Sequence, residues 1–291
     1  MKPVVVITRF NLASRYRYRK LYADVPEGHY IFLDEDYLEK RFALFEKYTF
    51  PSFEAQTDAD FRWIVMFHAD TPARFREKID AFSEKLTVFE PWFLDDDESD
   101  RFLEIIKDRL SEYDDTGVIT VRVDNDDMIG RDFVEIAKQH LADSEGTFVL
   151  TFPRGLQYDM RTGRCMKYTY VNNHFMCHAS APGSHDTNIY SFQHTDVDKV
   201  VSGEHKIIVK TELPMWVEIV SGTNCVNEIW TRPSKVFVPY GVKAAYPELD
   251  IKWSSKRQWA LNAAMSLPGA FFRMFADIFT LIKLRMGRIL S

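Results

Sequence analysis

Residues 124–127 read Asp-Asn-Asp-Asp and directly follow an apolar run at 117–123. The three carboxylates of this acidic loop repel one another, so their clustering indicates a cation beside them. Oxygen ligands suit a hard divalent ion such as Mg²⁺ or Mn²⁺. We therefore predict a metal site whose ligands are Asp124, Asp126 and Asp127. The pattern leaves open an alternative, a solvated acidic turn in which one aspartate caps the next helix.

A second candidate ligand site is the basic loop at 9–22, where five cations are interspersed with three tyrosines. Arginine forks match phosphate oxygens, and tyrosine rings pack on a base or a sugar. We predict nucleotide contacts for Arg9, Asn11, Arg15 and Arg17. A solvated basic loop and an RNA-binding patch are the alternatives.

Histidines and cysteines are less informative. Five histidines lie in the second half of the chain: His174, His178, His185, His194 and His205. One of them could complete a metal site, but their spacing does not select it, and a structural role is the simpler interpretation for each. The three cysteines have no paired spacing, which predicts neither a disulfide framework nor a zinc site, and indicates a reducing compartment.

The elements that must position these residues alternate along the first half of the chain. Apolar runs predict strands at 3–10, 61–67, 86–90, 117–123 and 146–152. Helical spacing of apolar residues predicts helices at 36–48, 72–86, 99–113 and 131–141. Strands separated by such helices indicate an α/β fold, with a parallel sheet covered on both faces. The acidic loop then lies at the carboxyl end of a strand, where such sheets bind ligands. After Pro153 we predict loops.

Three segments together resemble one enzyme family. They read RFALFEKYTFPSFEAQTDADF at 41–61, VRVDNDDMIGRDFVE at 121–135 and PMWVEIVSGTNCVNEIW at 214–230. In this order they are similar to the family called putative rhamnosyltransferases, and the start VVVITRFN is similar to the first strand of family-2 glycosyltransferases. The resemblance implies a GT-A fold, a nucleoside-diphosphate sugar donor and a divalent metal.

The resemblance also implies roles for individual residues. Asp126 is the first choice for direct metal contact, and Asp124 would instead hold the donor's ribose or sugar. Asn125 would fix the loop or contact the donor. Asp70, just after the strand at 61–67, would meet the nucleobase.

An inverting transferase needs a general base that removes the proton of the acceptor hydroxyl. The enzymes that this chain resembles carry this carboxylate well downstream of the acidic motif, which makes Glu212 and Glu218 the candidates. Solvated surface acids are the alternative. Trp216 would stack on a sugar ring and Asn224 would hydrogen-bond it, or they are a core tryptophan and a turn asparagine. The sequence has no clear Gln-x-x-Arg-Trp motif, which leaves the acceptor undefined.

The net charge of −6 is unevenly distributed. Residues 251–291 hold seven cations and one anion, so they carry +6 and residues 1–250 carry −12. An acidic body argues against binding of nucleic acid. Residues 267–291 set charges beside a wide apolar face, which is typical of a helix on an anionic membrane surface. Packing on the catalytic domain or on a second copy is the alternative.

These patterns predict a GT-A glycosyltransferase domain at 1–250 and an amphipathic helical extension at 251–291. No run of 18 uncharged apolar residues is present, so we expect a cytoplasmic protein, with or without peripheral contact to the inner face of the membrane. It would move a sugar from a nucleoside-diphosphate donor to a glycan or lipid-linked acceptor, with inversion and with Mn²⁺ or Mg²⁺. A nucleotidyltransferase on the same kind of sheet and a non-enzymatic interaction module are the rivals.

Overall fold

The computed structural model describes residues 1–12, 31–184, 187–221 and 242–250. The strands in this part of the chain are β1 Val4–Arg9, β2 Arg62–His68, β3 Phe89–Leu94, β4 Ile119–Arg122, β5 Met128–Ile129, β6 Phe148–Thr151, β7 Arg154–Asp159, β8 Arg164–Thr169, β9 Cys177–Ala179, β10 Lys206–Ile208 and β11 Trp216–Val220. The α-helices are α1 Glu35–Leu44, α2 Phe50–Glu54, α3 Ala73–Lys85, α4 Asp96–Asp100, α5 Phe102–Leu110, α6 Phe133–Leu141, α7 Val197–Val200 and α8 Val242–Ala245.

The main sheet has seven strands in the order β10-β6-β9-β4-β1-β2-β3. Its neighbours are parallel except where β9 runs antiparallel to both β4 and β6. The order β3-β2-β1-β4 is that of doubly wound sheets, which bind ligands where the strand order reverses, beside β1. This confirms the predicted fold class as far as a Rossmann-like, mostly parallel α/β sheet.

Helices cover both faces of the main sheet. On one face, α1, α2 and α3 pack against β1 and β2 around a cluster of buried aromatic side chains that come from both the helices and the strands: Phe10, Phe42, Phe45, Phe50, Phe53, Trp63, Phe67, Phe75 and Phe82. On the other face, α5 presents Phe102, Ile106 and Leu110. Spacings of three and four residues put such side chains on one side of a helix. Each large apolar side chain that is fully buried contributes about 1.5–3 kcal/mol.

The helix predicted at 36–48 is longer in the structure. A π-helical segment, Phe45–Thr49, joins α1 to α2, so the chain stays helical from residue 35 to residue 54. Pro51 lies just after this segment. A proline removes a backbone donor from a helix and crowds the preceding turn, and π-turns mark such interruptions.

Two other predicted elements have different bounds. The strand predicted at 86–90 is β3, which runs through Pro91 to Leu94. It is an edge strand, and an edge tolerates a residue without an N–H. The helix predicted at 99–113 is divided near Arg101 into α4 and α5. A capping box between Asp95 and Glu98 starts α4 earlier than predicted.

The prediction of loops after Pro153 is wrong. This region supplies β7 to β11, and β5, β11, β7 and β8 form a second sheet in that order. The strands β7 to β11 are three to six residues long. β7 and β8 pair as a hairpin, but the partners of β9, β10 and β11 are distant in sequence, so local patterns indicate these three strands weakly. None of the helices in the described part of the chain has the length and apolar character needed to cross a membrane.

Candidate active site

The acidic loop lies between β4 and β5, at the carboxyl end of β4 and next to β1. A backbone hydrogen bond from the Asp127 N–H to the Asp124 carbonyl, 3.2 Å long, closes the turn. Asn125, Asp126 and Asp127 are all buried. A solvated acidic turn would leave these side chains in water, so that alternative is wrong.

Asp124 is held by the residue two positions before it. Arg122 donates from Nε and Nη2 to the two carboxylate oxygens, at 3.0 Å and 2.9 Å. Burial alone would raise the pKa of Asp124, but the positive charges of Arg122, His174 and Arg9 outweigh it and hold this pKa well below its usual range. Asp124 is therefore a permanent anion at neutral pH.

Asp127 has the opposite electrostatic environment. Its Oδ1 accepts the Ile219 N–H at 3.0 Å, and its Oδ2 lies 2.9 Å from Nε2 of His174. Burial raises the pKa of Asp127, and the nearby charges of Asp126, Asp124 and Glu218 raise it further. Burial also lowers the pKa of His174. Asp127 thus lies where negative charge is crowded and a cation would relieve the repulsion.

Asp124, Asp127 and His174 each offer one potential ligand atom, and these atoms all lie within 4.8 Å of one another. His174 is therefore the histidine that joins the predicted metal site. Asp126, the residue expected to contact the metal directly, is not in this group and instead forms an ion pair with Arg41 at 3.1 Å.

Arg41 is a site residue that the sequence did not reveal. It extends from α1 and donates Nη1 to Asp126 and Nη2 to the side-chain oxygen of Asn125. Asn125 in turn donates its amide to the Phe10 carbonyl at 2.7 Å. The one sequence signal is a cation inside the apolar spacing of Leu38, Phe42 and Phe45, which become buried.

Of the two base candidates, the structure brings Glu218 to the acidic loop. It is a buried residue of β11, directly before Ile219, and its carboxylate accepts a hydrogen bond from the Gln157 amide of β7. Glu212 is exposed in the loop that precedes β11.

Three of the predicted donor contacts, Arg9, Asn11 and Asp70, belong to the described residues and lie near the carboxyl ends of β1 and β2. The Arg9 guanidinium is 5.6 Å from the Phe102 ring centre and 5.5 Å from that of Tyr190. Among the described residues its buried Nε meets no hydrogen-bond partner. Asn11 is buried, accepts the His68 N–H at 3.1 Å and so holds the end of β2. Asp70 is exposed just beyond β2.

Trp216 is a core residue, which was the alternative interpretation of this position. Only 1% of it is exposed, its ring stacks on Phe175 with centres 4.9 Å apart, and its N–H donates to the Phe152 carbonyl at 2.7 Å. The prediction that it stacks on a sugar is therefore wrong in this structure, because its faces are covered by protein. Arg15, Arg17 and Asn224 lie outside the described residues, as do His185 and residues 251–291.

The family model described as "Putative rhamnosyl transferase" matches residues 3–232. The chain belongs to this family. Membership confirms the resemblance drawn from the sequence. The description of the family agrees with the predicted enzyme class, a glycosyltransferase, and does not favour the rival of a non-enzymatic interaction module. No curated protein matches the sequence.

Several solved structures are distantly similar to this family member. S. aureus TarS 1–349 in complex with UDP has 11% identity and a TM-score of 0.42 over 76% of this chain and 61% of that one. The chain thus spans less than two thirds of that structure. S. aureus TarS 1–349 in complex with UDP-GlcNAc has 11% identity and a TM-score of 0.43 over 93% of this chain and 73% of that one. A Bacillus anthracis protein described as a "Putative Glucose-1-Phosphate Thymidylyltransferase" has 10% identity and a TM-score of 0.38 over 88% of this chain and 98% of that one. At these values the similarities do not bear on activity.

Proposed function

We propose that this protein transfers a sugar from a nucleoside-diphosphate donor to a hydroxyl of a glycan or lipid-linked acceptor, with inversion at the sugar carbon. One observation carries the proposal. Asp124, Asp127 and His174 meet at the carboxyl end of β4, and the Ile219 N–H bonded to Asp127 belongs to the residue after Glu218. A cation site and a buried carboxylate thus adjoin in a member of a sugar-transferase family.

A divalent cation, Mn²⁺ or Mg²⁺, fits the first part of this site. Two carboxylates and one imidazole offer ligand atoms within 4.8 Å of one another, and carboxylate oxygens suit hard ions. When bound, such an ion supplies Lewis-acid stabilisation of the charge on the departing diphosphate. Arg122 keeps Asp124 oriented through its two hydrogen bonds, so this ligand is pre-arranged.

On the donor side we assign phosphate binding to Arg9, whose buried Nε is available for a hydrogen bond. Arg15 and Arg17 follow in the same basic loop and would add phosphate contacts. Asp70 is exposed at the end of β2, where a nucleobase would reach it. Asn11 and Asn125 would act indirectly, because their side chains fix the backbone at His68 and Phe10.

Glu218 is the base of this proposal. It would accept the proton of the acceptor hydroxyl as that oxygen attacks the sugar carbon. The Gln157 amide restrains one of its oxygens, which orients the carboxylate. Because Glu218 is buried, water is excluded and does not compete with the acceptor hydroxyl for the carboxylate.

A thermal-shift panel tests the proposal. Nucleoside-diphosphate sugars with different bases are added with and without Mn²⁺. A ligand at 100 times its dissociation constant stabilises the folded state by about 2.7 kcal/mol, which is readily measured. We expect a shift with a nucleotide sugar that grows with Mn²⁺. A shift with nucleoside triphosphates alone would favour the nucleotidyltransferase, and no shift with any nucleotide would contradict the proposal.

A further inference from the structure

Gln157 and Glu218 form a buried polar pair in the second sheet. They occupy paired positions on the parallel strands β7 and β11, and the Gln157 amide donates to a carboxylate oxygen of Glu218. Side chains alternate between the two faces of a sheet. The residues on either side of the pair belong to one apolar cluster: Leu156, Tyr158, Val217 and Ile219. The polar pair therefore lies on the face of the sheet away from this cluster.

The contact between the two side chains fixes the orientation of the Gln157 amide. A general base is ionised before it reacts, and a carboxylate only accepts hydrogen bonds, so the amide nitrogen must face Glu218 and the amide oxygen must face elsewhere. This oxygen, Oε1, is buried and meets no donor among the described residues. Buried acceptors in folded proteins are nearly always paired. An unpaired acceptor beside a candidate base indicates a donor that a ligand supplies.

The polar pair adjoins the proposed cation site. Ile219, the residue after Glu218, donates its N–H to Asp127 at 3.0 Å. Burial and the charges of neighbouring carboxylates, Glu218 among them, raise the pKa of Asp127. A hydroxyl group that reaches Glu218 is therefore also close to the place proposed for the diphosphate of the donor.

A sugar ring can supply the donor that Oε1 of Gln157 requires. Hydroxyl groups on adjacent ring carbons can reach two acceptor oxygens whose side chains are hydrogen-bonded to each other, as these two side chains are. An alcohol with a single hydroxyl group would leave Oε1 unpaired. A lipid phosphate would do the same, because at neutral pH it mainly accepts hydrogen bonds.

We propose that the acceptor is a sugar ring with two adjacent hydroxyl groups, of which one gives its proton to Glu218 while the other donates a hydrogen bond to Oε1 of Gln157. Gln157 would then select a glycan end over an acceptor with a lone hydroxyl or a phosphate. The inference rests on the proposed function, because it takes Glu218 as the base. The deprotonated oxygen bonds to the sugar carbon of the donor as the bond from that carbon to the diphosphate breaks, and the diphosphate leaves with the electron pair.

The test measures transfer from the nucleotide sugar with the largest thermal shift to methyl glycosides of glucose, galactose, mannose and rhamnose. The linkage in the product identifies the reacting hydroxyl, and analogues that lack the hydroxyl on either adjacent carbon are then compared. For the wild type, kcat/KM should fall by about tenfold to a hundredfold when the hydroxyl that faces Gln157 is absent, because a buried acceptor is left unpaired. In Gln157→Met the same two substrates should differ by less than about threefold. The ratio compares two substrates on one enzyme preparation, so any unfolded fraction of the variant cancels.

Two further variants separate this role from the support of Glu218. Gln157→Glu keeps an oxygen at the position of Oε1 but loses the N–H that reaches Glu218, so both rates should fall while their ratio stays near the wild-type value. Gln139→Met changes an exposed glutamine of α6, and it should alter neither the rates nor the ratio.

Each failure has a separate meaning. If the ratio in Gln157→Met equals that of the wild type, Gln157 only orients Glu218 and the inference is wrong. Wild-type transfer that is insensitive to the loss of either adjacent hydroxyl, or donor hydrolysis with transfer to none of the glycosides, also contradicts the inference and leaves the proposed donor chemistry standing. If the wild type neither transfers the sugar nor hydrolyses the donor, the proposed function fails, and this inference fails with it.

Discussion

At the scale of single residues, Glu218 is the side chain whose chemistry can be tested most cleanly. Glu218→Gln keeps the shape of the side chain. Oε1 of Gln157 is buried and has no hydrogen-bond partner in the described part of the chain, so it can accept a hydrogen bond from the new amide. We expect turnover to fall by roughly 10²–10⁴ while donor binding is retained. The measurement pairs steady-state rates with donor titration.

Glu212→Gln is the matched control for this substitution. Glu212 is exposed before β11, so its loss should leave turnover unchanged. Equal rates for the Glu218 variant and the wild type would move the base elsewhere, and a loss confined to the Glu212 variant would reverse the assignment.

Asp127 predicts how cation binding depends on pH. Its pKa is raised by burial and by neighbouring carboxylates, so it holds a proton at higher pH than an ordinary aspartate does. A cation must displace that proton, and Mn²⁺ affinity should therefore keep rising with pH above the range in which an ordinary aspartate has already lost its proton. Asp127→Asn should flatten this rise, as followed by calorimetry. An equally steep profile in the variant would assign the proton to another group.

At this scale the sequence identified the site residues that are adjacent in the chain and missed those that are distant from them in sequence. Asp124 to Asp127 are adjacent in the chain, and their clustering alone indicated a cation site. His174 and Arg41 reach Asp127 and Asp126 across 47 and 85 residues. No spacing in the sequence connects them, because the contacts exist only once β4, α1 and the segment before β9 have been brought together.

At the scale of elements, the contact between β7 and β11 depends on a glycine. A β-carbon on Gly155 would lie 2.1 Å from the nearest Trp216 ring atom, so Gly155→Ala must displace the indole or the strand. We expect a loss of about 1–3 kcal/mol in the free energy of unfolding, measured with urea. Gly203→Ala is the control, because a β-carbon on Gly203 would have no atom of another described residue within 4 Å, its chain neighbours apart. Equal stability of both variants would mean that Trp216 repacks freely.

His178 of β9 makes the main sheet sensitive to acid. It lies between β4 and β6, and burial lowers its pKa to about 4. The unfolded chain takes up a proton near its ordinary pKa of about 6.5, whereas the folded chain does not until about pH 4, so acid favours unfolding. Between about pH 7 and pH 5 the wild type should lose about 2 kcal/mol more than His178→Gln does. Parallel losses in urea titrations would contradict this.

The elements that were predicted correctly from the sequence are those whose own apolar residues show the spacing of a strand or a helix. β1 and β2 were predicted from apolar runs and α3 from the helical spacing of its apolar residues. All three lie close to their predicted positions. β9 has three residues and is a strand only because β4 and β6 flank it. Trp216 shows the same limit, since an aromatic residue in an apolar strand can face a ligand or a glycine, and only the packed strands decide.

At the scale of the whole molecule, the domain division at residue 250 and the role of 267–291 stay predictions from the sequence. We propose that the tail binds anionic membranes. Each cation near such a surface contributes about 1 kcal/mol. Full-length protein should sediment with anionic vesicles and be partly released by salt. Sedimentation should fall to about the level that remains in high salt when four tail cations become glutamine: Arg273, Lys283, Arg285 and Arg288.

A control for this test changes four exposed cations of the body to glutamine: Arg74, Lys85, Arg101 and Lys199. It should sediment as the wild type does. Loss of binding in this control, or none in the tail variant, would assign the attraction to the body. Absence of sedimentation for every protein would favour a tail that packs on protein.

The π-helical segment constrains how this fold can accept insertions and deletions. Before it, Arg41 contacts Asp126; after it, Gln56 donates to the Gly130 carbonyl at 2.9 Å. One residue turns an α-helix by about 100°, so deleting a residue from Phe45–Thr49 would rotate one contact away from the other. We expect homologous chains to vary in residue type between positions 41 and 56 while keeping the number of residues fixed. In this stretch, length would be inherited more strictly than identity.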